Sequence, residues 1–172
     1  MKELLELKDE ILKIFQTDIE HLGDAVMETV MSADKGKYDA YLETVDGDMY
    51  TDYMQMIFQY YLADRKDKKQ DYTPKSIAEF MGALIGSSDK VVDMCAGSGA
   101  LTIQKWILNP NQQFDLYELD ERVIPFLLFN LAVRNIEANV FRADVLQEEV
   151  YEHYKVMRGV RYGNVACIKS TV

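Results

Sequence analysis

The sequence predicts an α/β fold: a partial, doubly wound sheet of about four parallel strands behind an N-terminal helical region. Three observations predict it. Apolar residues recur at helical spacing through residues 1–62. From Asp89 onward, short apolar runs alternate with helical stretches of about ten residues, the pattern of a parallel sheet with helices on its faces. Between the first such run and the next helix lies DMCAGSGAL, Asp93 to Leu101, whose two glycines let a backbone turn tightly and approach a ligand closely.

Each element has its own reason. Leu4, Leu5, Ile11, Leu12 and Phe15 form one helical stripe, and Ile19, Leu22, Val26 and Val30 form a second. The segment from Ser32 to Asp52 carries two well-separated glycines and many acids, which predicts short helices and turns. Tyr53, Ile57 and Tyr60, flanked by Met54, Phe58 and Leu62, suit a helix buried on two sides. ADRKDKKQD, Ala63 to Asp71, is a charged connector. In YTPKSIAEFMGALIG, Thr73 is the expected N-cap, Pro74 the first helical residue, and Ile77, Phe80, Met81, Leu84 and Ile85 the expected buried face, with Gly86 ending the helix. Lys90–Met94 then reads as strand one, Ala100–Leu108 as a helix, and Phe114–Leu119 as strand two. Asp120 is placed to cap a helix running to about Arg134, with Pro125 near its start. Val140–Ala143 is strand three, ending at Asp144; Gln147–Met157 is expected to be helical and Asn164–Ile168 to be strand four. The expected division is a helical region over 1–70 and a ligand-binding α/β domain over 71–172 that stops after strand four.

Charge and composition exclude several classes. The net charge of −10 argues against a general nucleic-acid binder. The acidity sits at the front: residues 1–71 carry 9 basic against 17 acidic residues, and 72–172 carry 10 against 12. Cys95 and Cys167 form no CxxC pair, and the isolated His21 and His153 have no metal-ligand spacing. Charges interrupt the apolar N-terminus, so it is not a signal peptide, and the run Val123–Val133 is too short to span a bilayer. A cytoplasmic protein without membrane contact is expected.

The site is expected beyond the carboxyl ends of the strands. Asp93 ends strand one before Gly97 and Gly99, Glu118 ends strand two about twenty residues past the glycines, and Asp144 ends strand three. A buried acid is unfavourable unless it is paired or hydrogen-bonded, so three acids in succession point to a ligand with donors to offer. Glu118 suits a pair of ribose hydroxyls, Asp144 an adenine amino group, and Asp93 either the loop itself or a cationic ligand amine. A nicotinamide dinucleotide is the first rival, but Thr102 stands where the GxGxxG fingerprint needs its third glycine.

Four pieces, YTPKSIAEFM, DMCAGSGAL, YELDE and ADVL, together with FNLAVRNI, resemble the S-adenosylmethionine-binding half of the adenine-N6 DNA methyltransferases. The modification subunit of type I restriction–modification systems is the nearest in pattern. The resemblance runs from about Gln70 to Leu146 and implies a Rossmann-like S-adenosylmethionine-dependent methyltransferase fold, present in part. It implies that Tyr72, Thr73 and Pro74 line the cofactor, that Asp93, Ala96, Gly97 and Gly99 meet its methionine part, that Glu118 meets its ribose, and that Asp144 meets its adenine. The family's Asn/Asp-Pro-Pro-Tyr/Phe motif, which holds the flipped base, is absent: Pro74, Pro110 and Pro125 are the only prolines and none adjoins another. Three expectations stay open for the missing motif: a fragment of a longer methyltransferase, a short homologue that binds cofactor without methylating DNA, and a chain that completes its site with another. The alternative functions are a non-catalytic cofactor-binding or assembly protein and a methyltransferase acting on another substrate. DNA would then be reached through a partner or a further segment, and the sheet edge at strand four is expected to take a second copy or a partner subunit.

Overall fold

The structure, a computed structural model, describes residues 3–63, 73–86 and 88–168. Seven α-helices and five strands follow one another as α1 (Leu4–Phe15), α2 (Leu22–Ser32), α3 (Lys35–Thr44), α4 (Tyr53–Ile57), α5 (Lys75–Leu84), β1 (Lys90–Asp93), α6 (Ala100–Leu108), β2 (Gln113–Glu118), α7 (Ile124–Val133), β3 (Ala138–Asp144), β4 (Glu149–Met157) and β5 (Asn164–Ile168). A single π turn, Phe58–Leu62, continues α4.

The helical stripes read from the sequence are largely the ones buried. Leu7, Ile11 and Phe15 bury one face of α1, and Leu22, Val26 and Val30 one face of α2, whereas Leu5 and Tyr60 point outward. Asp34 caps α3 by accepting from the amides of Gly36 and Lys37. Helix α7 has no polar face: all ten of its residues are buried. It is the spine of the molecule. Phe129, at its middle, takes Phe15, Tyr38 and Tyr41 at ring-centroid distances of 5.5, 5.4 and 4.9 Å, so α1 and α3 pack on one aromatic residue. The N-terminal helices and the sheet thereby share one apolar core.

The sheet has the order β1-β2-β3-β4-β5. β1, β2 and β3 are parallel, as the alternating pattern predicts. The remainder corrects the expectation of four parallel strands. Residues 149–157 are a strand rather than a helix, β4 runs antiparallel to β3, and β5 antiparallel to β4. The physical reason is the connection. Only residues 145–148 join β3 to β4, and a parallel crossover needs roughly a dozen residues or more. The chain must fold straight back, and Glu148 takes a left-handed φ of 58° as it does so. The alternation was present: Tyr154 and Val156 face the core, while His153 and Lys155 lie on the other side. The turn after β4 is pinned to the end of α7, where Gly163 donates to the carbonyl of Ala132 and Asn135 exchanges two hydrogen bonds with Gly159. A Cβ at Gly159 would lie 2.1 Å from the Tyr162 carbonyl, so only glycine fits.

These pairings also set the open edges. The strand expected as the fourth, Asn164–Ile168, is β5 and does form an outer edge; the other outer edge is β1. Beside β1, α5 departs from its reading as well. It packs on α6 through its small residues, with a Cβ at Gly82 only 3.4 Å from Gln104, and Ala78 is buried. The stripe expected inside is outside: Ile77, Phe80, Met81, Leu84 and Ile85 are 36–65% exposed. Pro74, not Thr73, occupies the N-cap position of α5, and Gly86 follows its end with a left-handed φ of 70°. Among the described residues no helix is long and apolar enough to cross a membrane.

Candidate functional site

The loop between β1 and α6 is held in shape by its own polar groups. Gly97 and Gly99 take φ values of 55° and 99°, which admit no ordinary side chain without strain. A Cβ on Gly99 would also lie 3.0 Å from Leu127 Cδ1. The amide of Ala96 donates to the Tyr117 carbonyl, that of Gly97 to Glu118 Oε2 at 2.9 Å, and that of Gly99 to the Ala96 carbonyl. Three of the loop amides are therefore committed within the protein.

The strand register brings together the three predicted acids. Asp93 lies opposite Leu116, two residues before Glu118 on β2; Glu118 lies opposite Arg142, two residues before Asp144 on β3. Residues in register, and residues two apart, share a sheet face, so all three acids project from the same face in a staircase. Each step is about 8 Å, from two strand residues of rise and one strand spacing. Glu118 is partly used: Oε2 accepts from Gly97 and Oε1 from the Asp120 amide at 2.8 Å, which leaves lone pairs for further donors. Asp144 Oδ1 accepts from the amides of Leu146 and Gln147, shaping the turn into β4. Asp93 Oδ1 accepts from Cys95 N at 3.1 Å. Burial pushes the Asp93 carboxyl up, against the smaller opposing effect of that amide. Asp120, expected as the cap of α7, instead caps the turn before it, accepting from the amide and guanidinium of Arg122; Val123 precedes the helix proper.

Thr73 and Pro74 are brought to the N-terminal region rather than left as a free flap. The Thr73 carbonyl accepts from Gln55 Nε2 at 3.5 Å, and Lys75 Nζ reaches Thr51 Oγ1 at 3.2 Å. Tyr72 lies outside the described residues. Cys95 is exposed beside the loop, and Cys167 is exposed on β5. Among the described residues no cluster of His, Cys, Asp and Glu has the arrangement of a metal site.

A second set of residues was not singled out from the sequence. Asp52, Ser98, Asn130 and Arg134 are all at least nine-tenths buried. Ser98 Oγ donates to Asp52 Oδ2 at 2.7 Å; Asn130 Nδ2 donates to Asp52 Oδ1 at 2.8 Å and to the Ser98 carbonyl at 2.9 Å. Arg134 donates to Asn130 Oδ1 and to the carbonyls of Met49, Thr51 and Asn130. Burial drives the Asp52 carboxyl upward, while Ser98, Arg134, the Gln55 amide and Asn130 oppose it. The signal was legible in principle: Asn130 and Arg134 are polar residues four apart in a run that is otherwise apolar, and buried polar groups need partners.

A family model described as N-6 DNA methylase matches residues 44–161, more than half of the chain. The match takes in Asp52, the glycine loop, the three acids and β4. No curated protein and no solved structure matches.

Proposed function

The chain belongs to the N-6 DNA methylase family, and from that premise we propose that it binds S-adenosylmethionine at the carboxyl ends of β1, β2 and β3, as the cofactor-binding part of an adenine-N6 DNA methyltransferase of the restriction–modification kind. The observation that carries the reading is the staircase of Asp93, Glu118 and Asp144 on one sheet face beside the glycine loop.

The donor set suits this cofactor. The nine residues Tyr72, Thr73, Pro74, Asp93, Ala96, Gly97, Gly99, Glu118 and Asp144 include three acids and no base. They match a ligand with a cationic amine, sugar hydroxyls and a purine amine, and they repel phosphates. The amides of Ala96, Gly97 and Gly99 are likewise committed within the protein and not offered to the pyrophosphate of a dinucleotide. On this reading Asp93 takes the methionine ammonium with the backbone of Ala96, Gly97 and Gly99 alongside. Glu118 uses its remaining lone pairs on the ribose hydroxyls, Asp144 meets the adenine amine, and Tyr72, Thr73 and Pro74 close over the methionine part. When bound, S-adenosylmethionine supplies an electrophilic methyl group on sulfur. The Rossmann-like character of the fold rests on the same parallel β1-β2-β3 unit with its glycine loop.

The family's Asn/Asp-Pro-Pro-Tyr/Phe motif, which would hold the flipped target base, is absent from these 172 residues, because no two prolines adjoin. The reading is therefore of a cofactor-binding unit in the cytoplasm that reaches DNA through further residues or a partner chain. Two open edges are available for such joining: β5 at Asn164–Ile168, the edge expected from the sequence, and β1, which follows the exposed stripe of α5. Calorimetric titration with S-adenosylmethionine tests the binding claim. Saturable binding that weakens at least about tenfold in Glu118→Ala, the effect of losing hydrogen bonds to a charged group, is the expected result. Absence of heat at millimolar cofactor would remove the reading. A labelled-methyl assay on DNA separates the unit from a self-sufficient enzyme: turnover by these residues alone would show that they hold the base after all.

A further inference from the structure

We propose that Asp52 is a positioning residue for the glycine loop, and that the segment Met49–Gln55 links the N-terminal helices to the ligand that the loop holds. The inference rests on the reading of that loop as the S-adenosylmethionine site.

Ser98 is the natural handle of the loop. Its neighbours Gly97 and Gly99 have no side chains, and its own side chain is 2% exposed and turned into the protein. Both ends of the residue are held: the hydroxyl by Asp52 and the carbonyl by Asn130. Asp52 divides its carboxylate between two tasks. Oδ2 receives Ser98, while Oδ1 receives the Gln55 amide in the first turn of α4 and Asn130 of α7. A displacement of α4 therefore pulls on the glycine loop through a single carboxylate.

Capping a helix does not require this burial. Asp34 performs the same service for α3 in a partly open position, accepting from the two amides it caps. Burying a carboxylate carries a desolvation penalty that a cap alone does not justify, and Asp52 meets it with bonds to residues 46 and 78 positions away. The surrounding segment is tied down as thoroughly. Arg134 holds the carbonyls of Met49 and Thr51, and Gln104 of α6 holds that of Tyr50 at 2.8 Å. The same segment carries the Thr73–Pro74 arm through Gln55 and Thr51. Two parts of the predicted cofactor site, distant in sequence, thus hang from seven residues that belong to neither. A ligand that fixes the loop will steady this segment, and by reciprocity a steadied segment will tighten the ligand.

Hydrogen exchange with and without S-adenosylmethionine, paired with calorimetry, tests the link in the wild-type chain, Ser98→Ala and Val26→Ala. Val26 is fully buried on α2, outside the Asp52 hydrogen-bond network, and controls for plain loss of stability. The expected result is cofactor-dependent slowing of exchange across residues 49–55 in the wild type. Ser98→Ala should bind about tenfold more weakly or worse, the effect of one hydrogen bond to a charged group, and should lose that slowing. Val26→Ala should melt at a lower temperature yet keep both wild-type affinity and slowing. Wild-type binding without slowing at 49–55 overturns the inference and leaves the site reading standing, and this measurement decides the matter even if Ser98→Ala does not fold. Wild-type affinity in Ser98→Ala overturns it as well. A wild-type chain that binds no cofactor overturns both.

Discussion

Replacing Arg134 with Met keeps most of the side chain's volume and removes its charge and all its donors. In the folded protein those donors satisfy Asn130 Oδ1 and the carbonyls of Met49, Thr51 and Asn130. Their loss leaves several buried acceptors unpaired and withdraws the positive charge that helps hold Asp52 ionised. Breaking a buried charge network by removing one member costs about 3–5 kcal/mol. For a chain of this size that is a fall in melting temperature of about 10 °C. Urea unfolding followed by the fluorescence of Trp106, the single tryptophan, measures it. The sign of the pH dependence is fixed. The Asp52 carboxyl titrates above its ordinary value when folded, so the folded state binds more protons than the unfolded state in the window between the two values. Stability contributed by this group then declines as pH rises through that window. Without Arg134 the folded value rises further, the window widens, and the deficit of Arg134→Met should be larger at neutral pH than at mildly acidic pH. Adding Asp52→Asn should recover part of the loss, because the orphaned charge disappears. A deficit below about 1 kcal/mol, or strict additivity of the two substitutions, would refute the account of the network.

Three further outcomes are expected. Gly99→Ala should destabilise by about 1–2 kcal/mol because φ is 99° and the new Cβ meets Leu127, whereas Gly23→Ala on α2, with open space around it, should stabilise by up to about 1 kcal/mol; paired thermal melts compare them. Phe80→Glu with Leu84→Glu should leave unfolding free energy within about 0.5 kcal/mol, since both residues are already exposed, and should suppress concentration-dependent light scattering. Because burial raises the Asp93 carboxyl and only its ionised form attracts a cationic amine, cofactor affinity should fall on acidification from a higher pH than an exposed aspartate would give; in Asp93→Asn the affinity should be weaker and flat over that range.

How much was legible depended on whether the deciding interactions were local. Helix α6 stands where its apolar spacing put it, and β1, β2 and β3 lie within two residues of their expected ends, because alternation and turn residues are written into neighbouring positions. The glycine loop and the three acids followed from strand order alone. The β4 segment reads as a helix because EVYEHYKVM satisfies helical and strand spacing alike; the short link behind Asp144 is what decides for a strand that folds straight back. The stripe on α5 failed for a different reason. Periodicity names an apolar face without saying what covers it, and here the small residues Ala78 and Gly82 make the helix contact instead. The Asp52 network joins residues 46 and 78 positions apart, which no local pattern records.

Phe129 has a consequence for how the protein is made. Synthesis proceeds from the N-terminus, and Phe15, Tyr38 and Tyr41 leave the ribosome long before the ring they pack against. Until α7 emerges, the first three helices have only one another to pack against and lack the ring that their aromatic residues share, and the buried arginine that anchors the Met49–Thr51 carbonyls has not yet been translated. Folding of the front of the chain is thus timed by its middle, and the interval between them is when the nascent polypeptide is most exposed to aggregation and to chaperones.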